Sequence, residues 1–95
     1  MAIVKHLVLN EIKSLARPVS VKAADPNNPK KNDWKQVISM IFEMLDLSKA
    51  SKFDESASKF DPILSRVKLI DSTGEIAKTF EETRERLRNN GFFDA

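Results

Sequence analysis

"DWKQVISMIFEMLDL", residues 33–47, decides how the chain is read. At 100° per residue its polar side chains, Lys35, Gln36, Ser39, Glu43 and Asp46, fall within one arc of about 100°. Trp34, Val37, Ile38, Met40, Ile41, Phe42, Met44, Leu45 and Leu47 fill the rest. The pattern predicts a helix over 34–47, with Asp33 capping its first turn and Gln36 completing a capping box. Its apolar arc spans roughly 220°, about twice the stripe a surface helix presents to one core. Either this helix is central and covered on two sides, or part of the arc is left for another chain. Met40, Phe42, Met44 and Leu47 are the candidate partner-binding side chains, because methionine adapts to varied surfaces and aromatic residues are enriched in interfaces.

On the N-terminal side, Ile3, Val4, Leu7, Val8, Ile12 and Leu15 gather on one face of a helix over residues 3–15, although "AIVKHLVL" is β-branched enough for a strand to compete. That helix is expected to stop near Ala16, since proline disfavours helical geometry in the residue before it and position 18 is Pro18. Residues 17–32, "RPVSVKAADPNNPKKN", hold three of the four prolines and read as a basic connector. It is expected to be a mobile linker, or a contact loop that uses Arg17, Lys22, Lys30 and Lys31, with "VSVK" able to form a short edge strand.

On the C-terminal side, "SKFDESASKFD", residues 51–61, spells SKFD twice. Each copy fits Ser-x-x-Asp, a helix-start pattern. Because proline favours the first helical position, the first copy is expected to open a short helix, and the second to end it, with Asp61 as cap and Pro62 opening the next. Phe53 and Phe60 then anchor the short helix on the core; the rival reading, a linear recognition motif, draws on a third Phe-Asp at Phe93-Asp94. Beyond Pro62, the spacing of Ile63, Leu64, Val67 and Ile70 is helical, while "RVKLI-DSTG-EIAK" alternatively reads as a β-hairpin over residues 66–77. Ser72 with Glu75 makes a capping box for a last helix, along which Ile76, Phe80, Thr83 and Leu87 form a narrow stripe. Asn90-Gly91 supplies a left-handed stop, and Phe92 and Phe93 are placed to fold back. The outer face, Glu81 to Arg88, is dense in charge and reads as solvated; Arg84 and Arg88, four apart, form a weak anion-gripping alternative.

Ninety-five residues, 41% hydrophobic and 32% charged, make one small domain, 1–95. A chain of this length buries only about 60–65% of its unfolded surface, so its core is limited. The fold class expected is mainly α, a bundle of three to four helices; with the hairpin it becomes α+β.

Absence of cysteine removes disulfides, thiolate nucleophiles and thiolate metal sites. The one histidine, His6, has no acid three or four residues ahead to fix its tautomer, and the two glycines are too isolated to cradle a phosphate. Catalysis, a metal, a cofactor and a small-molecule substrate are therefore not expected. No run reaches the roughly 18 apolar residues of a membrane span, and the N-terminus interrupts its apolar stretch with charge, unlike a signal peptide. A cytoplasmic setting, in a cell or a virus-infected host, is the expectation.

Charge is unevenly placed. Residues 1–32 carry six Lys/Arg against two acids, residues 33–95 ten against twelve. The function expected is a small non-catalytic protein-interaction or regulatory module, of viral or host origin, binding another protein or a second copy of itself through helix 34–47. Nucleic-acid binding is the alternative, resting on Arg17, Lys22, Lys30, Lys31 and Lys35 around Trp34, an aromatic among cations that suits stacking on unpaired bases.

Overall fold

The computed structural model describes residues 2–93 and consists of four α-helices: α1 (Lys5–Ala24), α2 (Lys31–Lys49), α3 (Phe53–Asp71) and α4 (Glu75–Asn89). Polar contacts between helices fix their directions. Lys5 at the start of α1 bonds to the Lys49 carbonyl at the end of α2, and Lys30 at the start of α2 bonds to the Ile70 carbonyl at the end of α3. The pairs Arg84–Asp61 and Lys68–Glu81 run α3 and α4 in opposite senses, and the Val4 N–H donates to the Asn90 carbonyl, setting α1 antiparallel to α4. The result is an up-down-up-down bundle in which α4 returns to α1, joined by short loops as such bundles require. Its extents of 43 × 24 × 18 Å suit two helix layers at the usual spacing of about 8–10 Å.

Each helix contributes a stripe at three- and four-residue steps to one core. On α1 these are Val8, Ile12, Leu15, Val19 and Ala23; on α2, Trp34, Val37, Ile41, Met44 and Leu45; on α3, Phe60, Ile63, Leu64, Val67 and Ile70. On α4 the expected stripe of Ile76, Phe80, Thr83 and Leu87 is buried throughout. Phe60 packs on Phe80 at 6.1 Å and edge-on to Phe93 at 5.6 Å, while Phe92 is fully enclosed. The chain thus does fold back after Asn90. Gly91, at φ 81°, makes the left-handed stop, and the Phe92 N–H reaches the Leu87 carbonyl to close it.

Both internal prolines overturn an expected boundary. α1 does not end at Ala16, and residues 17–24 of the supposed connector are its last two turns. α3 likewise runs unbroken through Pro62, so Asp61 caps nothing and the two copies of SKFD lie on and just before one long helix. A proline inside a helix orphans the carbonyl four residues back. Here those carbonyls belong to Ser14 and Ser58, both exposed, where water can satisfy them. Burial of Val19 and Ala23 beyond one proline, and of Ile63, Leu64 and Val67 beyond the other, outweighs the lost bond. Phe60 is wholly enclosed and Phe53 half-buried against the core, so the repeat supplies two anchors on one helix. Asp94, part of the third Phe-Asp, lies outside the described residues.

The hairpin over 66–77 is also corrected: Arg66–Asp71 belong to α3, residues 72–74 turn, and α4 begins at Glu75, with no strand among the described residues. The capping residues differ as well. α2 starts before Asp33, whose carboxylate instead faces Arg66; Lys30 occupies the cap position without a side-chain capping bond, and the turn before it is held by the Asn28 side chain, which accepts the Lys30 N–H at 2.9 Å. Ser72 forms no capping bond to α4, and Gly74 occupies the cap position.

Candidate binding face

The wide apolar arc of α2 is mostly consumed within the chain. Its flank bearing Asp33, Gln36, Met40 and Glu43 faces α3, with Glu43 paired to Lys59 at 3.1 Å and Arg66 bonded to Gln36 and Asp33. The middle of the arc enters the core, and the opposite flank turns toward α1. Met44 is fully buried, which removes it from any exposed patch. Met40 is half-buried beside Pro62 and Ile63 at the α2–α3 boundary, and Leu47 borders an open depression of about 510 Å³ on the outer side of α2. Only Phe42 is substantially exposed, at 49%; it lies on the α1 side of α2 by its wheel position, and its ring lines the same depression as Leu47, together with Glu43 and Asp46. Of the four candidate side chains, Phe42 and Leu47 thus share one depression, while Met40 and Met44 lie apart from it.

What the structure assembles instead is a row of cations on each of two helices, with Phe42 in line with those of α2. On α2, Lys31, Lys35, Phe42 and Lys49 fall within about 40° of one another, on the flank toward α1. On α1, Glu11 marks the flank toward α4, bonding Arg86 at 2.7 Å; the opposite flank, toward α2, carries His6, Lys13 and Arg17, again within about 40°. Two rows thus border the seam between α1 and α2. Its floor is apolar, since Leu9 and Ile38 on the same two flanks are half-buried against the core.

Among the described residues these cations have no ion-pair partner. Among the described residues, every cation in an ion pair belongs to α3 or α4: Lys59, Arg66, Lys68, Arg84, Arg86 and Arg88. Three of their partners, Glu11, Asp33 and Glu43, come from α1 and α2. The α1–α2 layer gives its acids to the other layer and keeps its own lysines unneutralised. Asp46, one step around α2 from Phe42, is the acid nearest the rows, and Asp25 follows the end of α1. On the α4 face the contrast is plain. Arg84 bonds Asp61 and lies 4.9 Å over the Phe93 ring, so it is occupied as a structural cross-link.

Of the basic candidates, Arg17, Lys31 and Lys35 belong to the seam. Lys22 and Lys30 sit instead at the end of the bundle, where they line a polar depression of about 170 Å³ with Asp71; there Lys30 caps the C-terminus of α3 through the Ile70 carbonyl. Trp34 is 2% exposed and cannot stack on a base. Lys5 spends its ammonium on the Lys49 carbonyl and the Ser51 hydroxyl. Lys13 and Lys49, absent from the expected set, are recovered by their spacing: Lys13 and Arg17 are four apart, and Lys35, Phe42 and Lys49 recur every seven.

No helix is long and apolar enough to cross a membrane, and no group of three His, Cys, Asp or Glu is placed to hold a metal, both among the described residues. His6 is exposed. What the seam offers chemically is fixed positive charge beside half-buried apolar side chains, a surface for a large anion with an oily component. No protein-family model, curated protein or solved structure matches this chain.

Proposed function

We propose that this protein is a non-catalytic interaction module that holds a partner protein against its α1–α2 face. The observation that carries this reading is the set Lys13, Arg17, Lys31, Lys35 and Lys49, exposed or half-exposed and without ion-pair partners among the described residues, on the same α1–α2 face as the half-exposed Phe42. An apolar anchor inside a charged rim is the usual anatomy of a recognition surface. A second copy of the chain is a poor occupant, because a two-fold axis through this face would bring its cations against each other. The module role fits a regulator that docks on a larger assembly.

Nucleic-acid binding is the second reading, favoured by the same bare cations. It ranks lower because five such residues fall short of the roughly 6–10 phosphate contacts of a strong binder, and because Trp34 is enclosed.

Capture from native cell extract tests the proposal. Wild-type protein, the face variant K13E/R17E/K35E and the control K78E on α4 are compared, with bound proteins identified by mass spectrometry. The expected result is a set of proteins held by wild type and control and lost from the face variant. Equal capture by all three overturns the reading.

A further inference from the structure

Granting a binding face on α1–α2, we infer that its occupant is an acidic amphipathic α-helix of a partner protein, laid along the seam. This inference rests on the functional reading above and adds the class of partner.

The seam has the length and straightness of a helix site. From Lys31 to Lys49 the row extends 18 residues, about 27 Å at 1.5 Å per residue, which a partner helix of five turns would match. Lys35, Phe42 and Lys49 recur at seven-residue steps, and a seven-residue row drifts only about 20° per repeat, so it runs nearly parallel to the α2 axis. A third helix packed between two antiparallel helices at a crossing angle of about 20° would follow that row.

The cross-section is equally selective. Leu9 and Ile38, half-buried against the core, form an apolar floor, Phe42 lies on the α2 edge of the seam where it borders the outer depression, and cations flank both sides: Lys13 and Arg17 on α1, Lys31, Lys35 and Lys49 on α2. The complement is a helix with one apolar stripe facing inward and carboxylates on both shoulders, the helix-in-groove mode of recognition. Asp46 disfavours a carboxylate near Phe42 on the α2 side, so the acids should concentrate toward the ends of the row. An extended peptide has no sheet edge to join among the described residues. A nucleic acid would satisfy the cations and leave the apolar floor without a match.

Fluorescence anisotropy with the full-length chain tests this. The probes are a labelled helical peptide of about 20 residues with a leucine stripe and glutamate shoulders, a scrambled peptide of the same composition, a single-stranded DNA and a DNA duplex of similar length. The proteins are wild type, K13E/K35E, F42D and K78E, each checked by circular dichroism. The inference expects the amphipathic acidic peptide to bind at least about tenfold tighter than its scramble, with K13E/K35E and F42D each weakening it about tenfold and K78E leaving it unchanged. Equal affinity for peptide and scramble overturns the helix claim. Tighter binding of DNA, lost in K13E/K35E, overturns the partner class while leaving the face intact. Absence of peptide binding up to about 100 μM overturns the inference as well, and binding indifferent to K13E/K35E overturns both the inference and the face.

Discussion

Replacing Met44 by alanine, and separately Phe42 by alanine, measures which part of the α2 arc belongs to the core. Met44 is completely enclosed, so truncation deletes three side-chain heavy atoms from a packed interior. At about 0.8 kcal/mol per buried methylene-sized group, the transfer loss is roughly 2.4 kcal/mol, and the cavity left behind raises it to about 3–4 kcal/mol. Phe42 is 49% exposed, so only half of its burial is lost and solvent fills the gap. That halves a transfer value of up to ~3 kcal/mol and leaves about 1–1.5 kcal/mol. In a domain of this size 1 kcal/mol shifts the melting temperature by roughly 4–8 °C, so Met44→Ala should lower it at least twice as far as Phe42→Ala. Guanidinium denaturation followed by circular dichroism supplies the two free energies, valid if the slopes agree with wild type. Equal losses, or a larger loss at Phe42, would refute the placement of α2.

Other consequences follow from local geometry. Ser51 holds a left-handed conformation at φ 61°, so Ser51→Gly should raise stability by about 0.5 kcal/mol, whereas Gly91→Ala, at φ 81°, should lower it by about 1–2 kcal/mol; chemical denaturation separates the two signs. Pro62→Ala restores the N–H that α3 lacks and should stabilise by about 1–3 kcal/mol, a reading contradicted if the thermal midpoint falls. Ser56 donates to the Met44 carbonyl, so its oxygen must accept from Ser48 in a buried relay. Ser56→Ala removes both bonds and should cost about 1–3 kcal/mol, more than Ser48→Ala, and equal losses in urea unfolding would break that ordering.

Much of the bundle was legible in the sequence because periodicity reports burial directly. The α4 stripe and its Asn90-Gly91 stop, and the helix that covers 34–47, come from spacing and turn chemistry alone; α2 is not central, since it packs against α1 and α3 and each of the other helices likewise has two neighbours. Prolines misled because local rules weigh the lost bond at Pro18 and Pro62 but not the core contacts of Val19, Ala23 or Val67 further along. The stripe of Val8, Ile12 and Leu15 does continue at Val19 and Ala23, and that continuation was the overlooked signal. Asp33 and Asp61 resembled caps because an acid near a helix start and an acid in a cross-helix ion pair have the same local spelling.

The binding face was less legible for a physical reason. A helical wheel reveals that the α2 arc is too wide, but not which of its flanks a neighbour covers, so Met44 and Phe42 looked equivalent. The seam's charge depends on which acids are already engaged. Glu11 and Arg86 are 75 residues apart in sequence, and only the fold brings them together. Counting charges along the chain found the basic N-terminal third; it could not show that the fold assigns acids of that layer to the cations of the other.

The most direct test of the bare α1–α2 seam is amide chemical-shift mapping of the full-length protein titrated with the acidic amphipathic peptide. The account predicts perturbations concentrated on Leu9, Lys13, Arg17, Lys31, Lys35, Ile38 and Phe42, shrinking as salt is raised. Shifts confined to α3 and α4, or spread evenly over the bundle, would contradict it.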